Sequence, residues 1–337
     1  KRAIVQARRQ VASLLHCEPD EIIFTSGGTE SNNHAIIGTA FVNREKGNHI
    51  ITTCMEHPAV LEVCRYLERN GFQVTYLPVD QCGLLDPEDV EAAITARTIL
   101  ITIMHANNEV GTVLPIEAIG RKARGRGIIF HTDAAQSVGK IPTEVDRLNV
   151  DLLSVAGHKV YAPKGVGALY IRRGVTVEKF MLGAGQEMGK RAGTENVMHI
   201  VGLGKACEIA NRDLEANTAQ MKQTRDLLYN GLMSRLGNIR LNGHEELRLP
   251  NTLSLSFKGL PANRILEEIG LEVAASAGAA CHSDTVQISH VLKAMNVPLD
   301  WAKGTLRFTT GRMTTPDQIA RAVEVVSEAV RTLRDAR

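Results

Sequence analysis

Ser154-Val155-Ala156-Gly157-His158-Lys159-Val160-Tyr161-Ala162-Pro163-Lys164-Gly165-Val166-Gly167-Ala168-Leu169-Tyr170 is the stretch that decides the reading of this chain. The apolar run Asp151-Leu152-Leu153 reads as a strand that delivers His158 and Lys159 into a turn. Pro163, Gly165 and Gly167 punctuate that turn, and Ala168 to Ile171 read as the next strand. Lysine is seldom placed between a buried strand and a glycine-rich turn without a chemical partner. Taken alone, the pattern also fits a surface lysine at the end of a hairpin.

Outward from it, strands and helices alternate. Toward the N-terminus, strands are expected at Glu21–Phe24, His49–Thr52, Gln73–Leu77, Thr98–His105 and Ile128–Asp133. Helices are expected at Glu30–Ala40, Ala59–Asn70, Val90–Ala96 and Ile116–Arg126. Such alternation implies an α/β fold with a mainly parallel sheet covered on both faces, whose chemistry lies at the strand C-termini. Residues 1 to 15 read as a helix already under way, so an N-terminal segment is expected before residue 1. Downstream, a long charged helix from about Gly202 to Leu236 leads into another pattern. Asn251–Phe257 alternates like an antiparallel strand, Asn263–Gly270 is helical, Thr305–Thr309 is a strand, and Pro316–Leu333 is a closing helix. Residues 1–209 are read as the large domain and 210–337 as a smaller α+β domain.

The 337 residues exceed what one compact core usually holds. Hydrophobic residues make up 44% and charged residues 23%, as in ordinary globular chains. Lysine plus arginine (39) nearly balance aspartate plus glutamate (37), and no basic stripe with interleaved aromatics exists, which argues against direct nucleic-acid binding. No apolar run approaches a membrane span. Six cysteines without a CxxC pair or regular spacing argue for reduced thiols in a cytoplasmic compartment, and against a disulfide framework or a structural zinc site.

Several strand ends carry chemistry. Thr25-Ser26-Gly27-Gly28-Thr29-Glu30 joins a strand to a helix; its glycines admit close approach and the helix start suits a phosphate, although an ordinary helix cap has the same pattern. It is neither a Walker A nor a dinucleotide fingerprint. His131-Thr132-Asp133 could be a metal pair, but nothing completes a cluster, and no metal is expected. The better reading sets the Asp133 carboxylate against a cationic ring nitrogen, because an aspartate on a pyridinium and a lysine Schiff base together hold pyridoxal phosphate. Cys54-Met55-Glu56-His57 and His105-Ala106-Asn107-Asn108-Glu109 add candidates at two further strand ends. In the small domain, Ala275 to Asp284 reads as a mobile small-residue loop with Cys281 at its tip; the other five cysteines read as buried hydrophobes. Arg307, a charge within a strand, is either an exposed edge residue or a fork for a substrate carboxylate.

Together these motifs resemble the NifS/IscS-like cysteine desulfurases of the class-V aminotransferase fold, a family that includes the selenocysteine lyases. The resemblance runs through TSGGTESNN, MEHPAV, IMHANNEVG, HTDAAQSVGK, GHKVYAPKGVGALY, RAGTEN, SAGAACHSD and LRFTTGRMTT. It implies a fold-type I pyridoxal 5'-phosphate enzyme and a homodimer with active sites at the subunit interface. Carried over by position, Lys159 binds the cofactor aldehyde and then moves the substrate proton. Asp133 keeps the ring nitrogen protonated, Gln136 contacts the ring hydroxyl and His57 stacks on the ring. Gly28 belongs to the cofactor cradle. Thr29 and His158 bind phosphate, with Thr194 reaching over from the second subunit. Asn108 and Arg307 fix the substrate carboxylate, and Cys281 takes the sulfur as a persulfide for an acceptor protein. The implied substrate is L-cysteine, with L-selenocysteine as the alternative; a catalytically idle scaffold and a Cys281–His282 hydrolytic pair are the readings from other classes.

Three departures stand out. The family's N-terminal segment, with its Tyr-Leu-Asp and Ala-Thr-Thr motif, is missing from this sequence. Ala156 stands where many desulfurases carry a phosphate-binding serine, and Pro58 follows His57 where animal lyases carry aspartate.

Overall fold

The computed structural model describes residues 1–282 and 285–336, with main chain alone over 279–282 and 285–287. These residues form two compact units, 1–78 with 85–106 and 114–214, and 79–84 with 107–113 and 215–337. A single cut near residue 210 does not anticipate the two short early stretches in the second unit. Their physical ties are visible: Thr112 bridges to Arg248, and the Thr112 hydroxyl donates to the Cys82 carbonyl at 2.6 Å.

In chain order the first unit contains α1 (Arg2–Leu15), β1 (Ile22–Thr25), α2 (Gly28–Val42), β2 (His49–Thr53), α3 (Pro58–Arg69), β3 (Gln73–Leu77) and α4 (Pro87–Ala93). It continues with β4 (Thr98–Thr102), α5 (Ile116–Gly125), β5 (Ile129–Asp133), α6 (Val145–Leu148), β6 (Leu152–Ala156), β7 (Gly167–Ile171) and α7 (Val197–Arg212). The expected mainly parallel sheet is present, in the order β1-β7-β6-β5-β4-β2-β3, with only β7 antiparallel to its neighbours. Strand β2 has β3 on one side and β4 on the other, so the direction of winding switches between β2 and β4; crevices form at such points beyond the strand C-termini. Ile36 and Ala40 of α2 and Val60, Val63 and Leu67 of α3 pack on Ile50, Ile99 and Leu100 of the sheet; α3 buries one apolar stripe, whereas α2 is buried on several faces. Helices α1 and α7 approach so closely that a Cβ on Gly204 would lie 2.5 Å from the Ala7 Cα.

Two helix boundaries depart from expectation. Helix α4 begins earlier than Val90 because Asp86 caps it, accepting from the Glu88 N–H at 2.9 Å, and Pro87 occupies the first turn. The long helix expected from Gly202 to Leu236 is two, α7 and α8 (Leu214–Arg235), broken at Asp213, whose carboxylate takes both arms of Arg212 at 2.7 Å.

The second unit continues with β8 (Ile239–Asn242), β9 (Thr252–Phe257), α9 (Ala262–Ile269), β10 (Ser276–Ala277), β11 (Ala279–His282), β12 (Thr285–Ile288), α10 (His290–Ala294), α11 (Leu299–Ala302), β13 (Thr305–Thr309) and α12 (Pro316–Asp335). Its antiparallel sheet runs β10-β13-β9-β8. Leu253, Leu255, Phe257, Leu306 and Phe308 pack against α8, α9 and α12. The polar positions of β9 are buried as well: Asn242 Nδ2 donates to Ser254 Oγ at 3.3 Å and Ser256 Oγ at 2.8 Å. Alternation along this strand therefore separates apolar packing from hydrogen bonding rather than core from solvent. Among the described residues no helix is long and apolar enough to cross a membrane.

Candidate active site

The parallel strands of the first unit end on a buried polar floor. Asp133, the last residue of β5, is buried; Asn32 Nδ2 donates to its Oδ2 at 2.7 Å and the Ala135 N–H to its Oδ1 at 2.9 Å. Burial pushes its pKa up, against the pull of those two donors. Among the described residues no lysine or arginine forms an ion pair with it. One strand over, the His105 N–H donates to the Asp133 carbonyl at 2.9 Å, and the His105 ring is buried with Nδ1 unpaired and its pKa lowered to about 4 by burial. His131, the other half of the considered metal pair, faces a hydroxyl on each side, Thr102 Oγ1 at 2.8 Å and Ser154 Oγ at 3.0 Å. Among the described residues no group of three metal-ligating side chains exists.

The candidate stretch Cys54–His57 brings a second carboxylate to this floor, one to which the sequence assigned no role. Glu56 closes the gap between the ends of β2 and β4 at the winding switch. Its oxygens accept from the Met104 N–H at 3.0 and 3.1 Å and from Thr53 Oγ1 at 2.8 Å. Burial, reinforced by the Asp133 charge, raises its pKa to about 8 despite those donors. The next residue, His57, caps α3: its Nδ1 accepts from the Ala59 N–H at 3.1 Å, and its ring is exposed. Only its place beside a strand end could have pointed to Glu56.

Beyond β6 a short 3-10 turn, Gly157–Lys159, presents the key pair, with His158 exposed and Lys159 half-buried. The turn closes through Gly157, whose carbonyl accepts from the Val160 and Ala162 N–H groups and whose own N–H donates to Val166. The His158 pKa is lowered by burial and by the neighbouring Lys159 charge. Lys140, also missed, is buried; its Nζ donates to the Gln136 carbonyl at 2.7 Å, and burial together with Lys159 lowers its pKa to about 7.

Thr29 stands exposed in the first turn of α2, just after Gly27 at φ 154°, a conformation that side-chain-bearing residues avoid. A Cβ on Gly28 would come within 3.1 Å of the Ala156 Cβ, so the turn lies against the end of β6. A cavity of about 810 Å³ opens beside Thr29 and His57, walled also by Phe41, Tyr66 and Phe180. Exposed Thr194 lies instead on a smaller cavity of about 150 Å³ with Ser26, Gly165 and Arg191.

The second unit holds Asn108, Arg307 and Cys281. Arg307 is not an edge residue, since β13 lies between β10 and β9. Its Nη1 donates to the Asn108 carbonyl at 2.9 Å and its Nη2 to Ser276 Oγ at 3.2 Å, while its buried Nε has no partner. Among the described residues no carboxylate pairs with it. Cys281 is on a strand rather than at a loop tip: β11 pairs with β12, where Thr285, Val286 and Ile288 favour extended chain, and Cys281 stands opposite Val286. Its side chain, with Ser283 and Asp284, lies outside the described residues. Of the remaining cysteines Cys64 and Cys207 are buried as expected, but Cys17, Cys54 and Cys82 are only partly so.

The class that this fold and these strand-end groups define is confirmed by comparison. Residues 1–321 match the model of the class-V aminotransferases. The chain is 48% identical over 335 residues to the cysteine desulfurase IscS of Dictyoglomus turgidum, covering 99% of this chain and 85% of that one. It is 48% identical to the IscS of Methanosarcina thermophila, covering 99% and 83%. Among solved structures it superposes on a NifS-like protein with a TM-score of 0.92 at 36% identity, over 98% of this chain and 88% of that one. It superposes on SspA in complex with cysteine with a TM-score of 0.80 at 39% identity, over 93% and 88%. The chain belongs to the class-V aminotransferase family, whose members of this type depend on pyridoxal 5'-phosphate. The two IscS relatives are named cysteine desulfurases, which favours that activity over selenocysteine lyase.

The residues present fit that cofactor. A buried carboxylate that accepts from an amide and a main-chain N–H matches a pyridinium nitrogen, and the Gly27-Gly28 turn opens α2, whose N-terminal dipole end suits a phosphate.

Proposed function

We propose that this chain is a pyridoxal-phosphate-dependent cysteine desulfurase that converts L-cysteine to L-alanine and leaves the sulfur as a persulfide on Cys281. The observation that carries this reading is the buried Asp133 carboxylate, braced by Asn32 and in no ion pair with a lysine or arginine among the described residues. The bound cofactor supplies a conjugated cation that accepts the electron pair left when the substrate α-proton departs. Lys159 would hold the cofactor and, when free, would carry that proton between the α-carbon and the product. Asp133 keeps a proton on the ring nitrogen, Gln136 addresses the ring hydroxyl and His57 covers the ring face. Thr29, His158 and a second subunit's Thr194 take the phosphate, with Gly28 giving room for it. Asn108 and Arg307 take the substrate carboxylate, the guanidinium fork suiting two oxygens. The Cys281 thiolate attacks the substrate sulfur; an S–S bond forms, the carbon–sulfur bond breaks with its electrons left on carbon, and a proton completes alanine.

The reading includes a homodimer, a cytoplasmic location with reduced thiols, and an acceptor protein for the persulfide. It is tested by alanine release from L-cysteine and L-selenocysteine with Cys281→Ala as control. Cysteine turnover that disappears in the variant supports it. Turnover of selenocysteine alone, or full cysteine activity in a cofactor-loaded Cys281→Ala protein, contradicts it.

A further inference from the structure

Strand β1 is an edge strand of the seven-stranded sheet, and it runs directly into the glycine turn before Thr29. Ile22 and Phe24 pair across to Tyr170 and Ala168 of β7. On the open side of β1 these same two residues meet a side-chain ion pair instead of another strand. Arg8 of α1 donates to the Ile22 carbonyl, and Glu187 Oε2 accepts from the Phe24 N–H at 2.8 Å. The two side chains also grip each other in a fork, Nη1 to Oε2 at 2.7 Å and Nη2 to Oε1 at 2.8 Å. Their exposures are 13% and 4%, and the guanidinium stacks 4.6 Å from the Phe24 ring. A largely buried, doubly bonded fork of this kind is geometrically specific.

The price is paid in the backbone. Glu187 and Met188 both adopt left-handed conformations, at φ 48° and 58°, which residues with side chains rarely adopt in succession. A second fork follows four residues later: Arg191 donates to both oxygens of Glu30, at 2.7 and 3.1 Å, and Glu30 accepts from the Ser26 N–H at 2.8 Å. Thr194 comes three residues after Arg191 on the same segment. The segment carrying Thr194 is thus stapled twice to the strand and turn that carry Thr29.

We propose that Arg8 and Glu187 are positioning residues for phosphate recognition: their ion pair stands in for the missing neighbour of β1, sets the Ser26–Thr29 turn for this chain's own phosphate, and holds the Thr194 segment that serves the phosphate of the second subunit. The inference rests on the reading of Thr29 and Thr194 as phosphate contacts. Neither Arg8 nor Glu187 touches the cofactor in this account; they act through the chain that does.

The test separates phosphate recognition from general stability. Full-length protein stripped of cofactor is titrated with pyridoxal phosphate and with pyridoxal, which lacks the phosphate, followed by absorbance. In Glu187→Gln and Arg8→Met the dissociation constant for pyridoxal phosphate rises about tenfold or more, whereas that for pyridoxal changes less than about threefold. Arg8→Lys, which keeps a cation for Glu187, recovers most of the preference; paired with Arg8→Met it carries the test should Glu187→Gln fail to fold. Equal losses for both aldehydes, or a preference unchanged in Glu187→Gln and Arg8→Met, would overturn the inference while leaving the desulfurase reading intact. A wild-type chain without any preference for the phosphorylated form would overturn the reading of the phosphate turn itself.

Discussion

The edge of β1 and the end of β5 both bury a carboxylate, and they treat it in opposite ways. At the edge, Glu187 meets Arg8 in a two-bond fork and a main-chain N–H besides. At the strand end, among the described residues Asp133 accepts from an amide and a main-chain N–H and forms no ion pair with a lysine or arginine, and burial leaves its pKa raised. A buried charge that already has its counter-ion holds structure in place; one held only by neutral dipoles has electrostatic work left to do on a ligand. Arg307 in the second unit is the mirror case, a guanidinium anchored by a carbonyl and a hydroxyl, without a carboxylate among the described residues.

Substitutions can break that contrast or sharpen it. The largest effect is expected for Asp133→Asn, which keeps the shape and removes the charge: alanine release falls roughly 10²- to 10³-fold while the cofactor stays bound. An unimpaired rate would show that Asp133 belongs with the structural carboxylates. Arg307→Lys keeps the charge and loses the fork, so KM for cysteine rises about tenfold or more, while the melting temperature moves by only a few degrees. A fall in stability with KM unchanged would place Arg307 beside Arg8 instead.

Glu56 offers a third kind of carboxylate, one that stays protonated. In the folded chain it titrates at about 8, against 4.5 for the free group. Between those values the folded state holds a proton that the unfolded chain has lost, so rising pH favours unfolding through this window. Urea unfolding should therefore show the native protein losing stability from pH 5 to about 8.5 relative to Glu56→Gln, by on the order of 1–3 kcal/mol. Parallel curves for the two proteins would mean that Glu56 is ionised as folded. The smallest effect is expected for Ala156→Ser, which adds a hydroxyl beside the Gly28 turn: affinity for pyridoxal phosphate improves a few-fold, as one further hydrogen bond of about 1 kcal/mol implies.

Much of the first unit was legible because its strands are short apolar runs and helices such as α1, α3 and α5 carry one apolar stripe. That periodicity also located Asp133 and Lys159, each at the end of a strand in a sheet whose chemistry collects there. What the sequence could not show were partners distant along the chain: Arg8 with Glu187, or Glu56 with the Met104 N–H. Asn32 lies within reach only because α2 places it one turn beyond Thr29. Arg307 was ambiguous until β13 proved to be an interior strand. The helix break at Asp213 was hidden because both flanking segments are good helix formers, and Cys281 was read as a loop residue because small residues masked the β-branched strand that follows.

Lys159, in the turn beyond β6, is the lysine proposed to hold the cofactor. Its nearest competitor is Lys140, buried close enough for Lys159 to depress its pKa. Borohydride reduction of the cofactor-loaded protein, followed by proteolysis and mass spectrometry, distinguishes them directly. The account predicts a pyridoxyl group on the peptide containing Lys159 and none on that containing Lys140. A label on Lys140, or on any other lysine with Lys159 unmodified, would contradict it.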